Sequence, residues 1–363
     1  MVDTFIKRLD ASYKLIFSEE IKNISRGNNP NIFQRKRIMP LSDILLCSLN
    51  KQGLNTDFEL RKYLIFQKGL DEVNITKEAY LKQRRKLNPE VFKILNYHYI
   101  SNFYNCCRNE VKKFKEYLIF AIDGTDFEIP NTKLNREYFG QGVNGKTQST
   151  ARATASGIHD LENDFFIDIS IKPYKTSEIE MAKENILKLK YIVNYEKIII
   201  MLDRNYPSIE FFDFLENNNI KFVVRIKKTD YKREQFSLSN DDDIVDIELT
   251  KNRMNKLKTK YPEFCSRIKY KKSITLRMVK VKISDKTNEV LLTNLSKEEF
   301  ATNDIISLYG KRWGIEISYN TLKNKIKIES FTGFLPNFIY QDFFHRCLFI
   351  IFCKIYYILL ILN

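Results

Sequence analysis

Histidine, cysteine and tryptophan are scarce in this chain, at 3, 6 and 1 of 363 residues. His98, His159 and His345 are scattered, and Cys47, Cys106, Cys107, Cys265, Cys347 and Cys353 form no CxxC pair, so zinc-site spacings are excluded. The thiols are expected to be reduced, as in a cytosolic protein. The opening MVDTFIKRLD lacks the apolar core of a secretory signal, and the expected location is cytoplasmic. The strongly apolar C-terminal run CLFIIFCKIYYILLILN is short and interrupted by Lys354. It reads as a buried helix packed on the core rather than a membrane span, and no membrane partner is expected. Acidic side chains are in deficit, 45 against 60 basic ones, for a net charge of +15. That balance suits a polyanionic partner.

The basic excess is uneven. Residues 251–282 hold twelve Lys or Arg against the single acid Glu263. This block is a candidate nucleic-acid contact, the alternative being a solvated basic face. Earlier, KEAYLKQRRKLNPEVF joins apolar Ala79, Leu81 and Leu87 to Lys82, Arg84, Arg85 and Lys86, behind Thr76 as N-cap. With a shorter helix near Asp57 to Leu64 it permits a helix-turn-helix, and Arg35, Lys36 and Arg37 add a second basic cluster.

The most informative segment is YGKRWGIEISYNTLK. Tyr309, Arg312, Glu316 and Lys323 follow at steps of three, four and seven residues. At about 100° per residue they share roughly 60° of arc, so one helix face carries a carboxylate flanked by two cations and a phenol. Leu308, Ile315 and Leu322 repeat on another stripe and give the helix an apolar side to bury. Gly310 and Gly314, one turn apart, allow close approach of another backbone or a nucleic acid. Alone, the pattern also describes a solvated face with an Arg312–Glu316 ion pair.

Two apolar runs upstream each stop at an aspartate. Leu118 to Ile122 ends at Asp123 with Gly124 and Thr125 as the turn, and Ile198 to Leu202 ends at Asp203. A carboxylate at a strand's C-terminal end lies where open α/β sheets place their ligands, although a single one also serves as a turn former. Between them Thr150 to Ile158 and Phe165 to Ile171 read as a hairpin, with Phe165, Ile167, Ile169 and Ile171 alternating inward. Ser177 and Glu180 read as a capping box opening a helix to about Lys190. A helix near Ser208 and a strand at Phe222 to Ile226 follow. The order βββαβαβ, then the Glu316 helix, is that of the ribonuclease-H-like mixed α/β sheet, whose first and fourth strands lie side by side under a later helix.

With these residues the chain resembles the DDE-type transposases of bacterial insertion sequences with a Y-x2-R-x3-E-x6-K signature. Tyr309, Arg312, Glu316 and Lys323 match that signature without offset, and Asp123 in IDGT and Asp203 in LDRNY match the first two acidic motifs. YKTSEIE around Glu178, LLTNL around Asn294 and ESFTG around Gly333 are further likenesses, over roughly residues 75 to 345. The resemblance implies a helical DNA-binding domain (1–112), a ribonuclease-H-like core in two parts (113–226 and 295–345), a mainly β insertion between them (227–294) and the apolar C-terminal helix (346–363).

Phosphodiester cleavage in such enzymes uses two divalent cations, and magnesium takes oxygen ligands, so carboxylates suffice. Asp123, Asp203 and Glu316 are the expected ligands of two Mg²⁺, with Mn²⁺ able to substitute. Asp126 is the nearest rival for the first position, and Glu329 lies on another helix face. The resemblance implies that Tyr309, Arg312 and Lys323 contact the DNA backbone near the cleaved end, and that the N-terminal segment with Arg84 and Arg85 recognises terminal inverted repeats. It implies as partners double-stranded DNA with those repeats, target DNA and a second copy in a homodimer on paired ends. In relatives an insertion aromatic stacks on a flipped base. Tyr231 and Phe236 are the substitutes present, while Trp313 reads as core packing. The expected activity is cleavage at the element's ends and strand transfer. The alternatives are a metal-dependent nuclease of the same fold and an inactive DNA-binding remnant, the latter because relatives often continue beyond this C-terminus.

Overall fold

The computed structural model describes residues 13–361 apart from 36, 52, 68, 70–74, 144–148, 194–196 and 285–286. Lys36 of the basic cluster, the first twelve residues and the last two lie outside the described residues. Nine strands form one mixed sheet among them: β1 (Leu118–Glu128), β2 (Gln141–Val143), β3 (Ser149–Asp160), β4 (Phe165–Pro173), β5 (Ile198–Leu202), β6 (Lys221–Ile226), β7 (Asp242–Glu248), β8 (Ser273–Ser284) and β9 (Thr287–Thr293). The spatial order is β4-β3-β1-β5-β6-β9-β8-β7, with β2 pairing the start of β3. β1 is antiparallel to β3 and parallel to β5, and β5 is parallel to β6. The first strand and the strand leading to Asp203 are therefore neighbours, as the element order predicts.

The apolar runs explain this centre. Leu118 to Ile122 and Ile198 to Leu202 are buried throughout, the pattern of parallel strands covered on both faces. β4 is likewise buried from Phe165 to Ile171, so its expected inward alternation is replaced by burial on both sides. The expected turn at Gly124 and Thr125 is not formed. β1 runs on to Glu128 because β3 pairs with it through Glu128↔Arg152, whereas its parallel pairing with β5 stops at Ile122↔Leu202. A helix at Lys133–Phe139 and the short β2 also intervene before the hairpin.

The segment between Asp203 and Glu316 adds β7, β8 and β9 to the same sheet, and Lys251–Lys258 and Pro262–Arg267 are helices. The N-terminal helices do not stand apart from the core. Glu90–Cys106 and Leu41–Leu49 pack on the long C-terminal helix Pro336–Ile361, which also lies against β4. No helix among the described residues is long and apolar enough to cross a membrane.

Arg84 is the buried anchor of this junction. Thr76 caps its helix as expected, its hydroxyl accepting from the Ala79 amide at 3.2 Å. The helix ends at Arg84, however, and its inner face is Tyr80, Arg84 and then Leu87 rather than Ala79, Leu81 and Leu87. Arg84 is 0% exposed. Its guanidinium donates to Gln341 (2.9 Å), Thr332 (3.0 Å) and Asp342 (2.5 Å). Lys51 reaches the same Asp342 oxygen at 3.2 Å. Burial opposes ionisation of Asp342, yet Arg84 and Lys51 hold its carboxyl well below the usual range. The expectation that Arg84 faces DNA is therefore corrected, whereas Arg85 points to solvent.

Candidate active site

β1 and β5 run in parallel register to Ile122↔Leu202, so Asp123 and Asp203, the next residue of each strand, emerge at one level of the sheet. Asp123 accepts from the Gly124 amide at 2.9 Å, and Asp203 accepts from the Asn205 amide at 2.7 Å in a local turn. The Tyr319 hydroxyl donates to the Asp123 carbonyl at 2.9 Å, docking the signature helix onto β1.

That helix is not one uniform cylinder. It comprises Thr302–Lys311, a tightened turn at Arg312, Trp313–Asn320 and a wider π turn at Thr321–Lys325. Leu308, Ile315 and Leu322 are fully buried, as their spacing requires; each contributes about 1.5–3 kcal/mol of hydrophobic stabilisation. Gly314 meets the Leu161 side chain, with an added Cβ falling 3.0 Å from it, whereas Gly310 faces open space.

Arg312 lies between two of the expected ligands. Its Nη2 is 2.7 Å from Glu316 and its Nη1 is 3.8 Å from Asp123. The Arg312–Glu316 pair is thus present, but its arginine is nearly buried and shared with Asp123, while the Glu316 side chain stays 38% exposed. Burial, with Asp203 and Glu316 nearby, pushes the Asp123 carboxyl up to about 7 against the opposing Gly124 amide and Arg312. Among the described residues no three acidic, histidine or cysteine side chains already form a cage around an ion. The structure brings Asp123, Asp203 and Glu316 into one electrostatic neighbourhood without closing them into a ligand set.

Lys323 falls in the π turn and donates to Thr125 Oγ1 and the Asp126 carbonyl, both at 2.7 Å. The rivals are engaged elsewhere: Asp126 accepts from Thr154 at 3.0 Å and Glu329 from the Glu128 amide at 2.8 Å. Trp313 is 59% exposed beside Arg312, which corrects its reading as core. Tyr231 packs on Phe212 and Arg253, while Phe236 is 88% exposed.

In the basic block Arg253, Arg267 and Arg277 are used internally, with Glu234, Asp213 and Asp242. The Tyr261 hydroxyl donates to Glu180 at 2.9 Å, which sets the block's helices beside the first turn of the helix Glu178–Ile192. That bond also replaces the expected capping box, since Ser177 makes no side-chain cap.

Two residues that the sequence reading did not place at the site are Glu178 and Tyr206. Glu178 lies against Gly124, and burial, then Asp203 and Asp126, raise its carboxyl. Tyr206 is fully buried, and its amide donates to the Asp203 carbonyl at 3.3 Å. Their signals were present in YKTSEIE and LDRNYP, but neither motif by itself names a contact.

Residues 114–352 match the protein family described as the transposase DDE domain. The chain belongs to that family. No curated protein matches this DDE-domain chain. Among solved structures, the piggyBac transposase synaptic complex with hairpin DNA aligns at 11% identity and TM-score 0.46, covering 96% of this chain and 75% of that one. The Mos1 mariner paired-end complex with Mn aligns at 15% identity and TM-score 0.22, covering 49% and 56%. A pre-cleavage Mos1 transpososome aligns at 16% identity and TM-score 0.21, covering 49% and 57%. The family match covers most of this DDE-domain protein and does not depend on these superpositions.

Proposed function

We propose that this DDE-domain protein is a DNA transposase that cleaves the ends of an insertion sequence and joins them to target DNA, with Asp123, Asp203 and Glu316 holding two Mg²⁺. The observation that carries the reading is the parallel register that brings Asp123 and Asp203 side by side just past the last β1–β5 pair, with Glu316 tied to Asp123 through Arg312. The donor set fits the ion: it is all carboxylate oxygen, and Mg²⁺ binds few carboxylates while keeping several waters. Such ions stabilise the attacking and leaving oxygens of an in-line displacement.

The protein's own groups supply the grip on DNA. The Tyr309 hydroxyl and Arg312 Nε are buried donors with no acceptor among the described residues, and each has a hydrogen to offer a phosphate oxygen. Lys323 adds a positive charge beside the Asp123 strand. The exposed lysines of the basic block extend this charge toward flanking duplex, and Arg85 is the remaining N-terminal candidate for the inverted repeat. Two copies on paired ends are the assembly this reading calls for.

The test is incubation of purified protein with its element's terminal duplex, with and without Mg²⁺, beside Asp203→Ala. Mg²⁺-dependent cutting and joining, lost in the variant, is the expected result. Cutting that persists in Asp203→Ala overturns the ligand assignment. Cutting without joining indicates a nuclease, and binding without cutting an inactive remnant.

A further inference from the structure

Behind the Asp123–Asp203–Glu316 site the structure holds a second arrangement whose parts point to a hydrated cation. Gly124 carries no side chain, and the Glu178 carboxyl fills the space where one would be. An added Cβ would fall 2.7 Å from Glu178 Cδ, 2.9 Å from Cγ and 3.0 Å from Oε1. No other residue at position 124 lets this carboxylate close over the β1 backbone next to Asp123. On the neighbouring strand end, the Tyr206 amide bonds the Asp203 carbonyl at 3.3 Å, and that turn folds the Tyr206 ring inward.

The Tyr206 hydroxyl is 0% exposed and has no hydrogen-bond partner among the described residues. Burial first, then the Asp123 and Glu178 carboxylates, raise this phenol well above its ordinary range, with Tyr319 and Asp203 adding to them. A buried hydroxyl without an acceptor is costly, and buried donors normally have a partner. Here the missing partner enters beside the Asp203 turn, in a region whose electrostatics carboxylates dominate. A cation's bound water meets both demands: its oxygen accepts from a phenol and its hydrogens are donated to a carboxylate.

Resting on the proposed metal-dependent reading, we infer that Tyr206 and Glu178 are positioning residues that hold the water shell of a divalent cation bound by Asp123 and Asp203. They touch the cation's waters, not the ion, and so set its affinity and placement.

The full chain is titrated with Mn²⁺ in the absence of DNA, and free Mn²⁺ is followed by electron paramagnetic resonance. Tyr206→Phe and Glu178→Gln should each weaken Mn²⁺ binding by roughly 10–100-fold, the range for outer-shell ligand partners. Gly124→Ala, which pushes the Glu178 carboxyl away, should reproduce Glu178→Gln. In EDTA the melting temperature of Tyr206→Phe should equal or exceed that of the wild type, because the variant removes an unsatisfied hydroxyl. A drop there would assign Tyr206 a structural role and overturn the inference. Mn²⁺ affinity within twofold of wild type in Tyr206→Phe and Glu178→Gln, with binding abolished in Asp203→Asn, would overturn it while sparing the three-carboxylate site. Unchanged binding in Asp203→Asn would overturn the site itself.

Discussion

Replacing Arg84 separates two roles for an arginine in a basic helix. If Arg84 contacts DNA, Arg84→Met weakens end binding and leaves stability alone; if it is the buried anchor seen here, the reverse holds. The side chain makes three hydrogen bonds and lies over the Phe338 ring, 4.8 Å from its centroid. Breaking a buried ion pair by removing one partner costs about 3–5 kcal/mol. Asp342 keeps Lys51 at 3.2 Å and the Thr332 amide at 2.8 Å, so the lower end, about 3 kcal/mol, applies. Unfolding entropy of roughly 2.1 cal/mol/K per residue gives about 760 cal/mol/K for 363 residues, hence a melting temperature lowered by about 4 °C. Differential scanning fluorimetry reads the shift, with Arg85→Ala expected within about 1 °C of wild type because surface substitutions change little. A melting temperature for Arg84→Met that matches wild type, together with a loss of DNA-end affinity equal to that of Arg85→Ala, would refute the buried-anchor assignment.

Gly157 lies opposite Asp123 in the β1–β3 pair, and an added Cβ would meet the Phe166 ring at 2.8 Å and the Tyr319 hydroxyl at 2.9 Å. Gly157→Ala should cost about 1–3 kcal/mol by overpacking, and should slow cleavage by displacing Tyr319 from the Asp123 carbonyl; a fully stable, active variant counts against this docking. Asp123, ordinarily near 3.8 and pushed up to about 7, keeps its proton in the folded metal-free protein after the unfolded chain has lost it. The folded state then binds more protons than the unfolded one between those values, so this group's contribution to stability falls as pH rises through that window. Urea denaturation in EDTA should show the fall in wild type relative to Asp123→Asn, and a difference that stays constant from pH 4 to 7 would contradict it.

What the sequence determined alone lies in runs and order. LIFAI and IIIML read as buried strands, Leu308, Ile315 and Leu322 read as a core-facing stripe, and the ribonuclease-H-like order of strands and helices makes the two aspartate-bearing strands neighbours; the structure agrees on each. The first two follow from local periodicity and the third from the fold whose element order this chain shares. Tertiary structure decided the rest. β1 passes Asp123 without turning because β3 offers it partners as far as Glu128, and no residue within β1 records that. Arg84 turns inward because Asp342, far along the chain, supplies the charge that makes its burial tolerable; a basic residue's own neighbours carry no sign of a distant acid. Arg312 bridges Asp123 and Glu316, and Glu178 closes over Gly124, for the same reason: contacts between residues remote in sequence depend on register and packing, which one-dimensional spacing does not encode.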